Sequence, residues 1–381
     1  MTSQPMITHP SGVSRTIFAV AIIVVAVVSG VSGYYVGGYF NKTSTANFTL
    51  NGTGATFPYP FISAVSTNYS RMHLGIAINY QSLGSGAGVK ALTAKTVDFA
   101  ASDAPLSDTG SPSERQAAPN ALHIPETVGS VVFAYNLPNI GKGMNLTGDL
   151  IAKIFLGTIT KWNDSSIKTL NPGLTLPGQP IQVIHRSDGS GTTFVWTNYL
   201  SLVSPTWNST VGHGKSVSWP IGLGASGNEG VAGVVKGTTY TAGYVELAYA
   251  LTNSMSYAYI QNPAGKFIQP SIASTAAAFN TVTSFPTGDA SWSGVTLLNS
   301  ADPNAYPIAS LTYILVYKEL NVVQGMTLDK AKALTDFLWF MVHDGQNQAN
   351  PLGYVTLSTG LTATDEATIR SITFGGAAVH P

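Results

Sequence analysis

"IQVIHRSDGSGTTFVWTNYL", residues 181–200, carries three signals in a row. "IQVIH" (181–185) is a short apolar, β-type run that reads as a strand. A cation, Arg186, and an acid, Asp188, then lead into Gly-Ser-Gly-Thr-Thr. The chain turns apolar again at "FVWTNYL", which predicts a helix over 192–203. A strand, a glycine- and hydroxyl-rich loop and a helix in succession suit an α/β protein. The mouth of such a helix, where free N–H groups point outward, suits an anion.

The same alternation recurs along the chain. "GIAINYQ" (75–81), "SVVFAYN" (130–136), "TAGYVEL" (241–247) and "SLTYILVY" (310–317) read as further strands. Helices are expected near 60–72, 86–95, 148–155, 226–236 and 328–343, the last with Leu328, Ala331, Leu334, Leu338 and Met341 at helical spacing. Strands alternating with helices predict an α/β architecture with largely parallel sheets. Four loops are rich in Gly, Ser, Thr and Asp: "GATFPYP" (54–60), "LGSGAGVK" (83–90), "ASDAPLSD" (101–108) and "SDGSGTT" (187–193), each expected to lie just before a helix. In open α/β sheets, ligands sit beyond the carboxyl ends of strands, where such loops gather.

A chain of 381 residues with 44% hydrophobic content predicts two domains with sizeable cores. Charged residues make up 9%, against about 25% in an ordinary soluble protein. The 18 basic and 18 acidic residues cancel. With no clustered Lys and Arg, nucleic acid is not an expected partner. Cysteine is absent, which excludes disulfides, thiolate metal sites, a thiol nucleophile and a lipid-modified cysteine. So sparse a charged surface suits an acidic exterior, where carboxylates lose charge and ion pairs fail.

Between Arg15 and Lys42 no charge occurs. Residues 16–40 read as a transmembrane anchor or as a signal peptide whose apolar run is "IFAVAIIVVAVV" (17–28). The lack of a cysteine tether favours the anchor. Arg15 then keeps residues 1–15 cytoplasmic and exports the rest. Residues 41–53 are expected to be a polar linker. Seven N-x-S/T sequons, at Asn41, Asn47, Asn51, Asn68, Asn145, Asn163 and Asn208, agree with an extracellular glycoprotein.

Enzyme motifs do not fit. "GSGAGVK" lacks the adjacent Gly-Lys-Ser/Thr of a P-loop, and no GxGxxG opens a βαβ unit. Ser190 is flanked by Asp188 and Thr192, so it is not in a G-x-S-x-G elbow. The seven histidines show no metal-ligand spacing. No cofactor and no catalytic residue is expected.

"GTGATFPYPF", "YQSLGSGAGVKAL", "TVDFAASDAPLSD", "IHRSDGSGTTFVWTNYL", "WPIGLGASGNEGVAG" and "AGYVELAYA" resemble, in order and spacing, the phosphate-binding proteins of phosphate ABC importers. The likeness runs from about Leu50 to about Leu357, and "GLTATDEATIRSITFGGAAVHP" beyond it matches poorly. It implies a two-lobed, type II periplasmic-binding-protein fold with a two-segment hinge at "SVVFAYN" and "TYILVYK". Lobe I takes 48–130 plus 312–381 and lobe II takes 131–311.

By position, the resemblance implies phosphate contacts from Thr56, Phe57, Ser85 and Asp103 in the first lobe. The second lobe supplies Arg186, Ser190, Gly191 and Thr192, with Asp188 holding the Arg186 fork. A carboxylate such as Asp103 faces an oxyanion without repulsion only if the anion carries a proton. Phosphate does near neutral pH and sulfate does not. The implied partners are inorganic phosphate and an ABC permease, the implied state a monomer. Sulfate, molybdate or arsenate is the alternative ligand, and a secreted hydrolase or phosphatase with Ser190 as nucleophile is the alternative outside the binding class.

Overall fold

The computed structural model describes residues 48–380. The anchor or signal expected at 16–40, residues 1–15, and the sequons at Asn41 and Asn47 lie outside them. Among the described residues, no helix is long and apolar enough to cross a membrane.

The chain alternates strand and helix from the start: β1 (Phe48–Gly54), α1 (Tyr59–Met72), β2 (Ile76–Ser82), α2 (Ser85–Thr93) and β3 (Phe99–Ser102). A long strand, β4 (Ala121–Tyr135), leads into α3 (Gly148–Phe155), β5 (Gln182–Arg186), α4 (Gly191–Val203), β6 (Leu223–Ala225), α5 (Gly227–Gly237) and β7 (Thr241–Glu246). The chain returns through β8 (Ala309–Tyr317), α6 (Leu328–Val342) and α7 (Thr359–Arg370). Local chemistry starts many of these helices. Thr147, Ser190, Thr327 and Ser358 each accept an N–H from the first turn of α3, α4, α6 and α7.

The main sheet has nine strands: eight on the path β2-β1-β3-β8-β4-β7-β5-β6, and the short strand Ser256–Tyr257, which pairs with β4 off that path. Two lobes share it through β4. Its residues 121–130 pair with β8, and residues 131–135 pair with β7. All fifteen residues of β4 are buried, so the strand is held on both faces along its length.

Three expectations need correction. The stretch 41–53 is not a linker throughout: residues 48–53 belong to β1, which pairs in parallel with β2 and β3. Its polar Thr and Asn side chains and its glycines hid a strand that lies inside the sheet. The sheet is parallel only in its outer portions, because β8 runs antiparallel to β3 and β4, and β4 antiparallel to β7. The loop 101–108 does not open a long helix; only the four-residue turn Glu114–Ala117 follows it. The chain enters β8 beside β4, where Val131 N–H donates to Ile308 O at 2.9 Å. The C-terminal segment, which carries little of the resemblance, is folded in: Leu361, Ile369 and Ile372 are fully buried and Thr373 N–H donates to Lys318 O.

Both lobes close around aromatic cores. Phe61, Ile62, Val65 and Tyr69 turn one face of α1 inward, and Tyr69 packs on Phe337 and Phe340 of α6. In the second lobe Trp196 stacks on Tyr244, which stacks on Trp219. Burying such side chains stabilises each lobe by roughly 25 cal/mol per Å² of apolar surface.

Candidate functional site

The loops at the carboxyl ends of β1, β2, β3, β5 and β6 meet in the cleft between the lobes. Thr56, just ahead of α1, sends its hydroxyl across to the second lobe, where Arg186 Nη1 donates to Oγ1 at 3.0 Å. Arg186 ends β5 and is 3% exposed. Its Nε donates to Asp188 Oδ1 at 2.7 Å and its Nη2 pairs with Asp188 Oδ2. Despite partial burial, the Arg186 guanidinium and the Gly227 amide hold the Asp188 carboxyl below its usual range. With its outer edge occupied, the Arg186 fork presents Nη1 to the cleft, where it also reaches Thr192 Oγ1 at 3.3 Å.

Ser190 caps α4: its Oγ accepts from Thr193 N–H at 3.0 Å, and its own N–H donates to Lys215 O at 2.8 Å. Gly191 opens the helix and donates its N–H to Ser85 Oγ in the opposite lobe at 3.1 Å. A Cβ there would lie 2.5 Å from both Asp103 Oδ2 and Ser85 Oγ, so the close approach requires glycine. Ser85, at the start of α2, also accepts from Asp103 N–H at 3.2 Å. Asp103 Oδ2 stands 3.4 Å from Thr192 Oγ1, while Oδ1 is buried with no partner among the described residues. Burial raises the Asp103 carboxyl to about 7 against the opposing pull of Arg186.

The structure therefore brings Thr56, Ser85, Asp103, Arg186, Ser190, Gly191 and Thr192 together, with Asp188 behind Arg186. Phe57 stands apart from them in kind. Its ring is fully buried against Gly129 and Tyr354, and its carbonyl accepts from Tyr354 Oη at 2.7 Å.

Sequence reasoning missed three side chains of this cleft. Asn228, fully buried in the first turn of α5, donates from Nδ2 to Thr56 Oγ1 at 2.8 Å and to Thr192 Oγ1 at 3.0 Å. Tyr249 Oη reaches Thr56 O at 2.6 Å and Glu229 Oε1 at 2.9 Å. Glu246 meets Tyr354 Oη through Oε2 at 3.1 Å. "GASGNEG" (224–230) offered the signal for Asn228, as a fifth Gly/Ser-rich stretch at a helix start. Tyr249 and Glu246 lie in "AGYVELAYA" (242–250), where the strand-like run gave no sign of a place at the cleft.

A nucleophile is not assembled. His185 stacks on Trp219 at 4.7 Å between ring centroids, and its Nδ1 lies against Arg186 O, while Ser190 Oγ is committed to the helix cap. Among the described residues, no group of His, Cys, Asp or Glu is placed to hold a metal.

The sequence profile of the PBP superfamily domain matches residues 41–344. The phosphate-binding protein PstS of Xylella fastidiosa is 44% identical over 331 residues, covering 85% of this chain and 85% of that protein. The chain belongs to the PstS family. The PstS of Methanocaldococcus jannaschii is 37% identical over 329 residues, 83% of this chain and 84% of the relative. Two solved structures share the PstS fold at low identity. The phosphate-binding protein of Stenotrophomonas maltophilia superposes with a TM-score of 0.62 at 21% identity, covering 85% of this chain and 94% of the other. A human phosphate-binding apolipoprotein does so with 0.65 at 19%, covering 84% and 93%.

Proposed function

We propose that this chain captures inorganic phosphate in the cleft between its lobes and delivers it to an ABC importer, as an extracytoplasmic binding protein and not an enzyme. The observation that carries the reading is the composition of the cleft. N–H and O–H donors from both lobes converge there, with the buried cation Arg186 and, beside Thr192, the buried carboxylate Asp103, whose Oδ1 has no partner among the described residues. Donors and a cation favour an oxyanion. A single acceptor admits one that brings a proton to donate. Phosphate meets both conditions near neutral pH. Sulfate and molybdate, without that proton, would leave Asp103 facing a second negative charge, and such sites discriminate by roughly 10⁴-fold.

In this reading Thr56, Ser85, Ser190 and Thr192 donate hydroxyl protons, and Phe57 and Gly191 offer backbone N–H groups. Arg186 supplies charge, Asp188 fixes its fork, and Asp103 accepts the proton of the anion. The lobes are taken as 48–130 plus 312–381 and 131–311, hinged at β4 and β8. The protein acts as a monomer held at the outer face of the membrane by residues 16–40. Of the five sequon asparagines in the described residues, Asn208 is the exposed one, while Asn51, Asn68, Asn145 and Asn163 are half-buried, so Asn208 is the position for a glycan.

Calorimetry of the full chain against phosphate, sulfate and molybdate, with a parallel phosphate-ester turnover assay, tests the function. Tight phosphate binding without turnover is expected. Equal affinity for sulfate, or measurable hydrolysis, overturns it.

A further inference from the structure

Asn228 bonds the hydroxyls of two threonines from opposite lobes. With the cleft taken as the phosphate site, a reading on which the role of Asn228 rests, the polarity of those bonds decides what the cleft can hold.

A hydroxyl oxygen has one proton to give and two lone pairs to receive. Thr56 Oγ1 is approached by three N–H donors: Arg186 Nη1 at 3.0 Å, Asn228 Nδ2 at 2.8 Å and the Asn228 backbone N at 3.2 Å. Thr192 Oγ1 receives Arg186 Nη1 at 3.3 Å and Asn228 Nδ2 at 3.0 Å. Ser85 Oγ receives the amides of Asp103 and Gly191. Each oxygen is thus filled by donors, and its own proton is left for something else. For Thr192 that is Asp103 Oδ2 at 3.4 Å. For Thr56 and Ser85 it is the interior of the cleft.

The Asn228 amide is held in the orientation this needs. Its Oδ1 accepts the Glu246 backbone N–H at 2.9 Å, which turns Nδ2 toward the threonines. Gly227, in the left-handed region at φ +71°, brings the Asn228 backbone N–H to the same oxygen.

We propose that Asn228 is a positioning residue: by donating to Thr56 and Thr192 from between the lobes, it makes both hydroxyls donors, that of Thr56 toward the anion and that of Thr192 toward Asp103. Asp103 is thereby left as the acceptor beside these hydroxyls, so the selectivity of the cleft depends on a residue that need not touch the ligand.

Asn228→Asp tests this with almost no change of shape. The carboxylate presents an acceptor where Nδ2 stood, and the threonine protons turn toward it and away from the cleft. In the full chain, phosphate affinity measured by calorimetry is expected to fall about 100-fold at pH near 8, the scale of a lost set of charge-assisted hydrogen bonds. The loss shrinks as pH is lowered toward about 5, because the introduced carboxyl, once protonated, has an O–H to donate again. The charged and titratable groups around this point are Arg186 and Asp188 after β5, Asp103 after β3, Glu229 on α5, and Glu246 and Tyr249 at and beyond the end of β7. The profile is therefore read as the ratio of variant to unmodified protein at each pH.

Asn228→Ala removes donors without adding an acceptor. It is expected to weaken phosphate about tenfold with the pH profile of the unmodified protein, and to admit sulfate more readily relative to phosphate. Unmodified affinity in both variants, or a loss in Asn228→Asp that does not change with pH, overturns the proposal. Arg186→Ala separates the two levels. If it keeps phosphate binding, the site reading fails and this inference with it. If it loses binding while both Asn228 variants keep it, only the inference fails.

Discussion

The two lobes face the same cleft with opposite chemistry. The second lobe brings the cation, with its counter-charge already built in, since Asp188 occupies the outer edge of Arg186. Everything else it turns to the cleft from Ser190, Gly191, Thr192 and Asn228 is a capped helix start or a donor. The first lobe brings hydroxyls, amides and the one carboxylate, Asp103, pushed up to about 7 by burial. On the proposed reading, attraction for any anion resides mainly in the second lobe, and choice among anions in the first. On that reading neither lobe alone discriminates, and both functions act together only where the lobes meet.

That contrast can be broken from either side. Arg186→Ala removes the attraction and leaves Asp188 without its partner. Phosphate affinity should fall roughly 1000-fold, the scale of losing one member of a buried charge pair, and calorimetry reads it directly. Gly191→Ala attacks the approach itself, because its Cβ would sit 2.5 Å from Asp103 Oδ2 and Ser85 Oγ. Phosphate binding should weaken about 100-fold while the thermal transition of the phosphate-free protein moves little, since the lobes can stay apart. Asp103→Asn removes only the choice. Phosphate should weaken about tenfold while sulfate gains, so the ratio of the two affinities collapses. If that ratio were unchanged, the division of labour between lobes would be wrong.

The shared strand sharpens the comparison through pH. A β-bulge opposite Thr312 and Tyr313 turns the fully buried Glu126 of β4 toward Thr312, whose hydroxyl donates to Oε1 at 2.7 Å. Burial pushes this carboxyl from 4.5 up to about 8. A raised pKa in the folded state means that its stabilising contribution is complete below pH 4.5 and is lost as the pH rises through about 8. His123 on the same strand works the other way. Burial lowers it from 6.5 to about 4, so its contribution is complete above pH 6.5 and is lost as the pH falls through about 4. Glu126→Gln should flatten the decline of melting temperature from acid toward pH 8 and leave the acid limb, set by His123, in place. A stability optimum of the unmodified protein at neutral pH that falls away in mild acid would remove the acidic-exterior expectation raised by its sparse charge.

The smallest effect is expected at the rim. Lys215 of the second lobe pairs with Glu114 of the first at 2.6 Å, both partly exposed. Glu114→Gln should weaken phosphate by less than about tenfold, and the difference should fade with added salt.

Much of this molecule is legible in the chain. The strand-and-helix alternation places α1 to α6 within a residue or two, because apolar spacing and hydroxyl caps are local signals. The stretch 181–200 reads as a strand, an anion-holding loop and a helix, and it folds as β5, a capped loop and α4. Strand β1 escapes because "FTLNGTG" is polar and glycine-rich, and only its place between β2 and β3 makes it a strand. Asn228 escapes because nothing near it in sequence shows that its amide will meet a hydroxyl 172 residues away.

By itself, then, the sequence determined the periodic elements, the helix starts, the exclusion of thiol and nucleotide chemistry, and the resemblance that points to phosphate. Tertiary structure alone decided the mixed direction of the sheet, the shared strand, the burial that raises the carboxyls of Glu126 and Asp103, and the donors that meet at the cleft hydroxyls. The physical reason is range. Caps and apolar faces are set by neighbours a few residues apart, whereas burial and hydrogen-bond direction depend on which distant groups folding brings within about 3 Å.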